Sequence, residues 1–97
     1  MTQFYAVIVK RTSKWDWSKP ADQQPGFSNH LAFMNGLKET GFIALAGLMM
    51  TTEDVLFIFR AESEDEVRER LGQDPWQRDG TVRIERIENL AVSIGNL

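Results

Sequence analysis

Apolar side chains occupy both alternating sets of Gln3–Arg11. Phe4, Ala6 and Ile8 form one set, and Tyr5, Val7 and Val9 the other. A short β-branched and aromatic run that is apolar on both faces predicts a central strand covered on both sides. The period changes after Gly26. Phe27, His30, Phe33, Met34 and Leu37 recur at helical spacing and predict an amphipathic helix over Phe27–Gly41. Ser28 is the expected N-cap and Gly41 the left-handed residue at the C-terminal end. Gly36 lies mid-helix at a cost of about 1 kcal/mol relative to alanine, which close approach of a strand would explain.

Phe42–Met50 and Val55–Ala61 read as two strands joined as a hairpin through Thr51–Asp54. Ala44, Ala46 and Gly47 leave room beside the second of them for a pocket or a closely packed helix. Ser63-Glu64-Asp65-Glu66 is a capping box opening a helix that runs to Leu71 and stops at Gly72. Val67 and Leu71 face inward, and Glu64–Arg68 and Glu66–Arg70 are i,i+4 pairs on a solvated face. Asp74-Pro75 is a helix-start signal, with the aspartate as cap and proline at the first helical position. Gly80 closes that turn. Thr81–Glu88 alternates as a last strand, and Leu90, Ala91, Val92 and Ile94 prolong its apolar run. A bulge near Ile87–Asn89 would carry it toward a partner.

The order β-α-β-β-α-β is the ferredoxin-like split βαβ unit, an α+β fold with a four-stranded antiparallel sheet and two helices on one face. Residues 1–97 make one such domain. Its uncovered sheet face is apolar, and face-to-face pairing of two copies into a homodimer would bury it. Thr12–Gly26, with two prolines and many small polar residues, is expected to hold no regular element. Within it Trp15 and Trp17 offer either an anchor on the core edge or an aromatic flap over a pocket mouth.

Composition narrows the chemistry. The 97 residues contain no cysteine and one histidine. That excludes disulfides, thiolate catalysis and Cys-based metal sites, and argues against a transition-metal centre or any metal cofactor. Absence of cysteine suits a reducing cytoplasm. The net charge is −3, and the eleven basic residues are scattered, so no nucleic-acid footprint is expected. Neither a signal peptide nor a membrane span is expected.

The single histidine is the only side chain whose ordinary titration lies near neutral pH. On the helical wheel it shares a face with core positions, so it is either a core histidine with its bonds satisfied or one wall of a site opening from the core.

Several segments together resemble the YciI-like (YCII-related) family. They are the helix start His30-Leu31-Ala32-Phe33, then Gly41, the small-residue strand Ala44-Leu45-Ala46-Gly47, the Ser-x-x-Glu helix and Asp74-Pro75-Trp76. The match runs over roughly residues 3–90 and rests on the order and spacing of these segments rather than on one motif. The resemblance implies a dimeric α+β barrel and a cleft in which His30 and Asp74 form a catalytic pair. Some members act on aromatic ring substrates, including elimination of a halide. Two positions depart from the pattern. Phe27 stands where an arginine is frequent, with Lys14 or Arg11 as substitutes, and Leu48 replaces a proline. An aspartate bound to one imidazole nitrogen would fix the tautomer and leave the other nitrogen as a general base. The expected reaction is proton abstraction with elimination or isomerisation of a small, largely apolar substrate. Trp76, Phe33, Met34, Trp15 and Trp17 are its expected binding residues. The alternatives are a non-catalytic small-molecule binding protein on the same scaffold and a cofactor-free α+β-barrel monooxygenase.

Overall fold

The computed structural model describes all 97 residues. Four strands, β1 (Gln3–Arg11), β2 (Ile43–Leu48), β3 (Val55–Ala61) and β4 (Val82–Leu90), form one antiparallel sheet in the order β2-β3-β1-β4. Helices α1 (Phe27–Glu39) and α2 (Glu64–Leu71) are the crossovers, and a single turn, α3 (Pro75–Arg78), leads into β4. This is the expected ferredoxin-like α+β arrangement. No helix is long and apolar enough to cross a membrane.

The alternation in β1 decides which face is which. Tyr5, Val7 and Val9 are buried together with Phe57 and Phe59 of β3, Leu37 of α1 and Val67 and Leu71 of α2. Period-two geometry sends Phe4, Ala6 and Ile8 to the opposite face. There Ala6 pairs with Ile58 and Ile8 with Leu56; Ile58 is buried among its neighbours, while Ala6, Ile8 and Leu56 are half-buried and no helix of this chain covers that face. In β4 the spacing from Ile84 to Ile87 is three, which strict alternation would split between faces. A bulge at Glu85 restores both to the helix side, since Val9 pairs with Ile84 and Ile8 with Arg86. The irregularity therefore lies earlier than the Ile87–Asn89 position expected. The strand ends at Leu90, and Ile94 beyond it is exposed.

Helix α1 ends in a Schellman motif. Gly41 has φ 79°, its N–H donates to Lys38 O, and Phe42 N–H donates to Leu37 O. Its start differs from expectation. Gly26, with φ 78°, is the N-cap and its carbonyl accepts the His30 N–H, so Ser28 is already inside the helix and caps nothing. The Pro25-Gly26 turn makes a serine cap unnecessary, because glycine reaches the left-handed region without steric cost. Gly36 is not a point of close approach either, as a Cβ built there meets nothing within 4 Å.

In α2 the Ser63 hydroxyl accepts from Glu66 N–H, while the Glu66 carboxylate reaches the amide of Glu62. That use of Glu66 leaves the expected Glu66–Arg70 pair unformed. Arg70 lies over the Phe42 ring and donates to Thr40 Oγ1, whereas Glu64–Arg68 forms at 3.1 Å. The long 12–26 segment contains one 3₁₀ turn, Ala21–Gln23, where none was expected. It is fastened by the buried Gln24, whose side chain accepts from Asp16 N–H and donates to Asp16 O and Lys19 O.

Candidate active site

The site is assembled where two helix starts meet. At the first, the Pro25-Gly26 turn puts His30 on the first turn of α1. At the second, Asp74 caps α3. Its N–H donates to Leu71 O at the end of α2, and its Oδ1 accepts from Trp76 N–H at 3.1 Å. The chain between α2 and α3 is thereby so tight that the carboxylate is almost wholly enclosed, 1% exposed. Burying a carboxylate is tolerated when donors surround it. The remaining donor is His30, whose Nδ1 lies 2.8 Å from Oδ1 and 3.0 Å from Oδ2.

Trp76 ties the two helix starts together. Its indole N–H donates to Pro25 O at 2.9 Å, and its ring stacks on the His30 imidazole at 3.8 Å with 13° between the planes. A Cβ at position 26 would meet the same indole at an ordinary contact distance of 3.5 Å, so the φ of 78° is what calls for glycine there. Trp15 packs edge-on against Trp76 with centroids 5.3 Å apart. His30 is thus held by a carboxylate at one nitrogen and an aromatic plane on one face. With Asp74 accepting, Nδ1 carries the proton, and in the neutral ring the Nε2 lone pair is then free. Nε2 has no partner within the chain.

His30 and Asp74 line a cavity of about 620 Å³ between α1 and the β2 edge. Its walls are mostly apolar, with Phe27 and Met34 from α1, Trp15 and Trp76, and the small-residue strand Ala44–Gly47. The room left by those small side chains is therefore a pocket and not a helix-packing groove. Exposed Leu45 and Leu48 stand along its β2 side. Of the expected binding residues, Trp76, Met34 and Trp15 are on this cavity. Phe33 and Trp17 are not. The apolar stripe of α1 is wide. Its centre, Leu37, is buried, and Phe33 on the far flank lines a separate depression with Leu37 and Arg70. Trp15 is the anchor, 5% exposed, and Trp17 is 59% exposed outside the cavity. The pair is no flap.

Of the two substitutes for the family arginine, Arg11 lines the cavity and Lys14 does not. Asn35, Lys38 and Gln77 also line it and were not foreseen from the sequence, and Gln77 Nε2 is buried without a partner. Arg11 was legible in principle, since Tyr5, Val7 and Val9 fix the odd positions of β1 as the helix face and Arg11 continues that row. Gln77 lies three residues after Asp74 in a turn too short for any periodicity to show its facing. No cluster of His, Asp or Glu suited to a metal ion is present.

No protein-family model matches the chain. No curated protein is similar to it by sequence. Among solved structures, the chain is similar to a 5-chloro-2-hydroxyhydroquinone dehydrochlorinase from Burkholderia phenoliruptrix, solved in complex with 2,5-dihydroxybenzoquinone. The identity is 21%, the TM-score 0.58, and the match covers 95% of each chain. At that identity the likeness establishes the fold over nearly the full length of both proteins.

Proposed function

We propose that this chain is an enzyme acting on a small, largely apolar and aromatic substrate, with His30 as general base and Asp74 as the residue that sets its tautomer. The observation that carries the reading is the buried carboxylate bound to Nδ1 while Nε2 stays unpaired at an apolar cavity. Such an arrangement is suited to take one proton from a substrate C–H or O–H. The proton goes to Nε2 and the bonding pair moves into the π system of the substrate. A leaving group then departs with its own pair, which is elimination, or the proton returns at another carbon, which is isomerisation. No side-chain nucleophile is required. The fold is shared with an enzyme whose name describes the elimination of chloride from a hydroxylated ring, which makes halogenated hydroquinones the first substrates to offer.

The test is chloride release from such compounds, together with incorporation of solvent deuterium into small phenols and cyclic ketones followed by NMR. Wild-type turnover that His30→Gln abolishes supports the reading. Full turnover in His30→Gln refutes it. Saturable binding with neither chloride release nor exchange would instead favour a non-catalytic binding protein, and turnover that needs oxygen would favour the monooxygenase reading.

We also propose that two copies pair through the open sheet face. Ala6, Ile8 and Leu56 are only half-buried there, around the buried Ile58, with Lys10–Asp54 and Arg86–Glu88 ion pairs at the margins. Stable pairing would bury about 1,200–2,000 Å² in total. Light scattering after size exclusion should give twice the chain mass of 11.1 kDa, and Ile8→Arg should halve it. A wild-type monomer at high concentration refutes this part.

A further inference from the structure

The side chain of Arg11 is 14% exposed, lines the same cavity as His30, and donates no hydrogen bond. Its guanidinium carbon lies 4.1 Å from the centre of the Trp15 ring and 5.5 Å from that of Trp17. Its one ionic neighbour is the exposed Glu53, with Nη1 to Oε1 at 3.5 Å and no hydrogen bond between them. Stacking on an indole engages the face of a guanidinium and leaves its edge free. The edge carries the five N–H donors, arranged as a fork that fits a carboxylate or a paired oxygen. None of its nitrogens is walled in, so the fork stays open to an oxygen group entering the cavity, where a charge-assisted, two-point bond is stronger than one to a neutral partner.

The charge of the cavity points the same way. Its charged lining residues are Arg11, Lys38 and Asp74, and Asp74 is already occupied by His30. The cavity thus carries an excess of positive charge in a chain whose net charge is −3. The tryptophan ladder sets the layout. Arg11 lies against Trp15, Trp15 against Trp76, and Trp76 against His30. The base and the guanidinium therefore stand at the two ends of the ladder, so an anionic group can be held apart from the imidazole.

We propose that Arg11 is the specificity residue of the cavity, binding an anionic oxygen group, a carboxylate or phenolate, on a small aromatic ligand. This rests on reading the cavity as a small-molecule site, and it is testable without turnover. The probes are 4-hydroxybenzoate and the neutral 4-hydroxybenzamide, which share ring and hydroxyl. Binding is followed by calorimetry and by quenching of tryptophan fluorescence in wild type, Arg11→Gln, Arg11→Lys and Lys38→Gln. Wild type should bind the acid about tenfold or more tighter than the amide, the range expected when a charge-assisted pair is gained in an apolar cavity. Arg11→Gln should erase the difference by weakening only the acid. Arg11→Lys should keep part of it, and Lys38→Gln most of it. The proposal is overturned by equal binding of the two probes to wild type or by no saturable binding of the acid up to about 10 mM. A preference that survives in Arg11→Gln, or that vanishes only in Lys38→Gln, overturns it as well. If Arg11→Gln does not fold, Arg11→Lys decides, since an undiminished preference there rules out recognition by the guanidinium fork. His30→Gln should leave the preference intact, so loss of the proposed reaction and loss of the proposed anchor are read separately.

Discussion

Asp74 makes one set of bonds that serves both fold and site, and Asp74→Asn separates the two. Asparagine is as good an N-cap as aspartate, so its Oδ1 can still accept from Trp76 N–H, now 3.1 Å away. The other end of the amide becomes an N–H donor facing His30 Nδ1. A donor 3.0 Å from Nδ1 favours the Nε2–H form, while the 2.8 Å contact to Oδ1 favours the Nδ1–H form, so the single-tautomer lock of the carboxylate is lost. Stability should fall moderately, because a charge-assisted bond is replaced by a neutral one roughly half as strong. That is about 1 kcal/mol, or a fall in Tm of about 4–8 °C for a domain of this size. Asp74→Ala should cost about 2–4 kcal/mol, from a lost cap of about 1 kcal/mol and a buried imidazole N–H left unpaired at about 1–3 kcal/mol. Any His30-dependent activity should fall far more in Asp74→Asn than the stability change suggests. In the Ser-His-Asp triad the same exchange costs about 10⁴-fold in kcat. The assay is nitrogen-15 NMR of the imidazole, unambiguous because His30 is the only histidine, alongside urea unfolding of all three proteins. Wild type should show the neutral ring protonated at Nδ1, and Asp74→Asn a population shifted toward the Nε2–H form. A wild-type ring with its proton on Nε2, or no shift at all in Asp74→Asn, would refute the role given to the carboxylate.

Other perturbations check the fold beneath the site. Gly36→Ala should raise stability by about 0.5–1 kcal/mol, since helix propensity favours alanine and the new methyl meets nothing within 4 Å; a lower Tm would show that the helix does need the glycine. Trp15→Ala should cost about 3–5 kcal/mol, and Trp17→Ala no more than about 0.5 kcal/mol, in urea midpoints measured side by side. The Ser18 hydroxyl and amide both donate to Asp16 and hold its carboxyl below the usual range. A depressed pKa in the folded state contributes stability above the unfolded value, and this is lost as pH falls through the folded one. Ser18→Ala should move the Asp16 carboxyl upward in a carbon-13 titration and shrink that acid-side loss.

The sequence exposed most where a single residue type forces a geometry. Ser63 at a helix start, Pro75 after Asp74 and Gly41 after a helix end each narrow the backbone to one choice, and the elements follow. The His30–Asp74 pair was legible only through resemblance. The two residues are 44 positions apart, and nothing in either local pattern says that two helix starts converge. Facing was harder than element type. Phe33 and Met34 adjoin on one apolar stripe, yet Met34 lines the cavity and Phe33 the depression it shares with Arg70 of α2. The start of α1 misled for a related reason. A serine cap is a local signal, but the Gly26 turn is held by a bond from Trp76 to Pro25, a contact across 51 positions.

That long-range bond also explains why the 12–26 segment is a wall rather than a lid. A lid needs few buried contacts and a backbone free to swing. Here Gln24 and Trp15 are buried, and the far end of the segment is bonded to Trp76, itself stacked on His30. Moving the segment would pull away the plane that holds the imidazole. The side of the cavity able to give is therefore the opposite one, where β2 is an edge strand with one hydrogen-bonded neighbour and its small residues are exposed. A ligand entering there would meet the free Nε2 of His30 without disturbing the bonds that orient it.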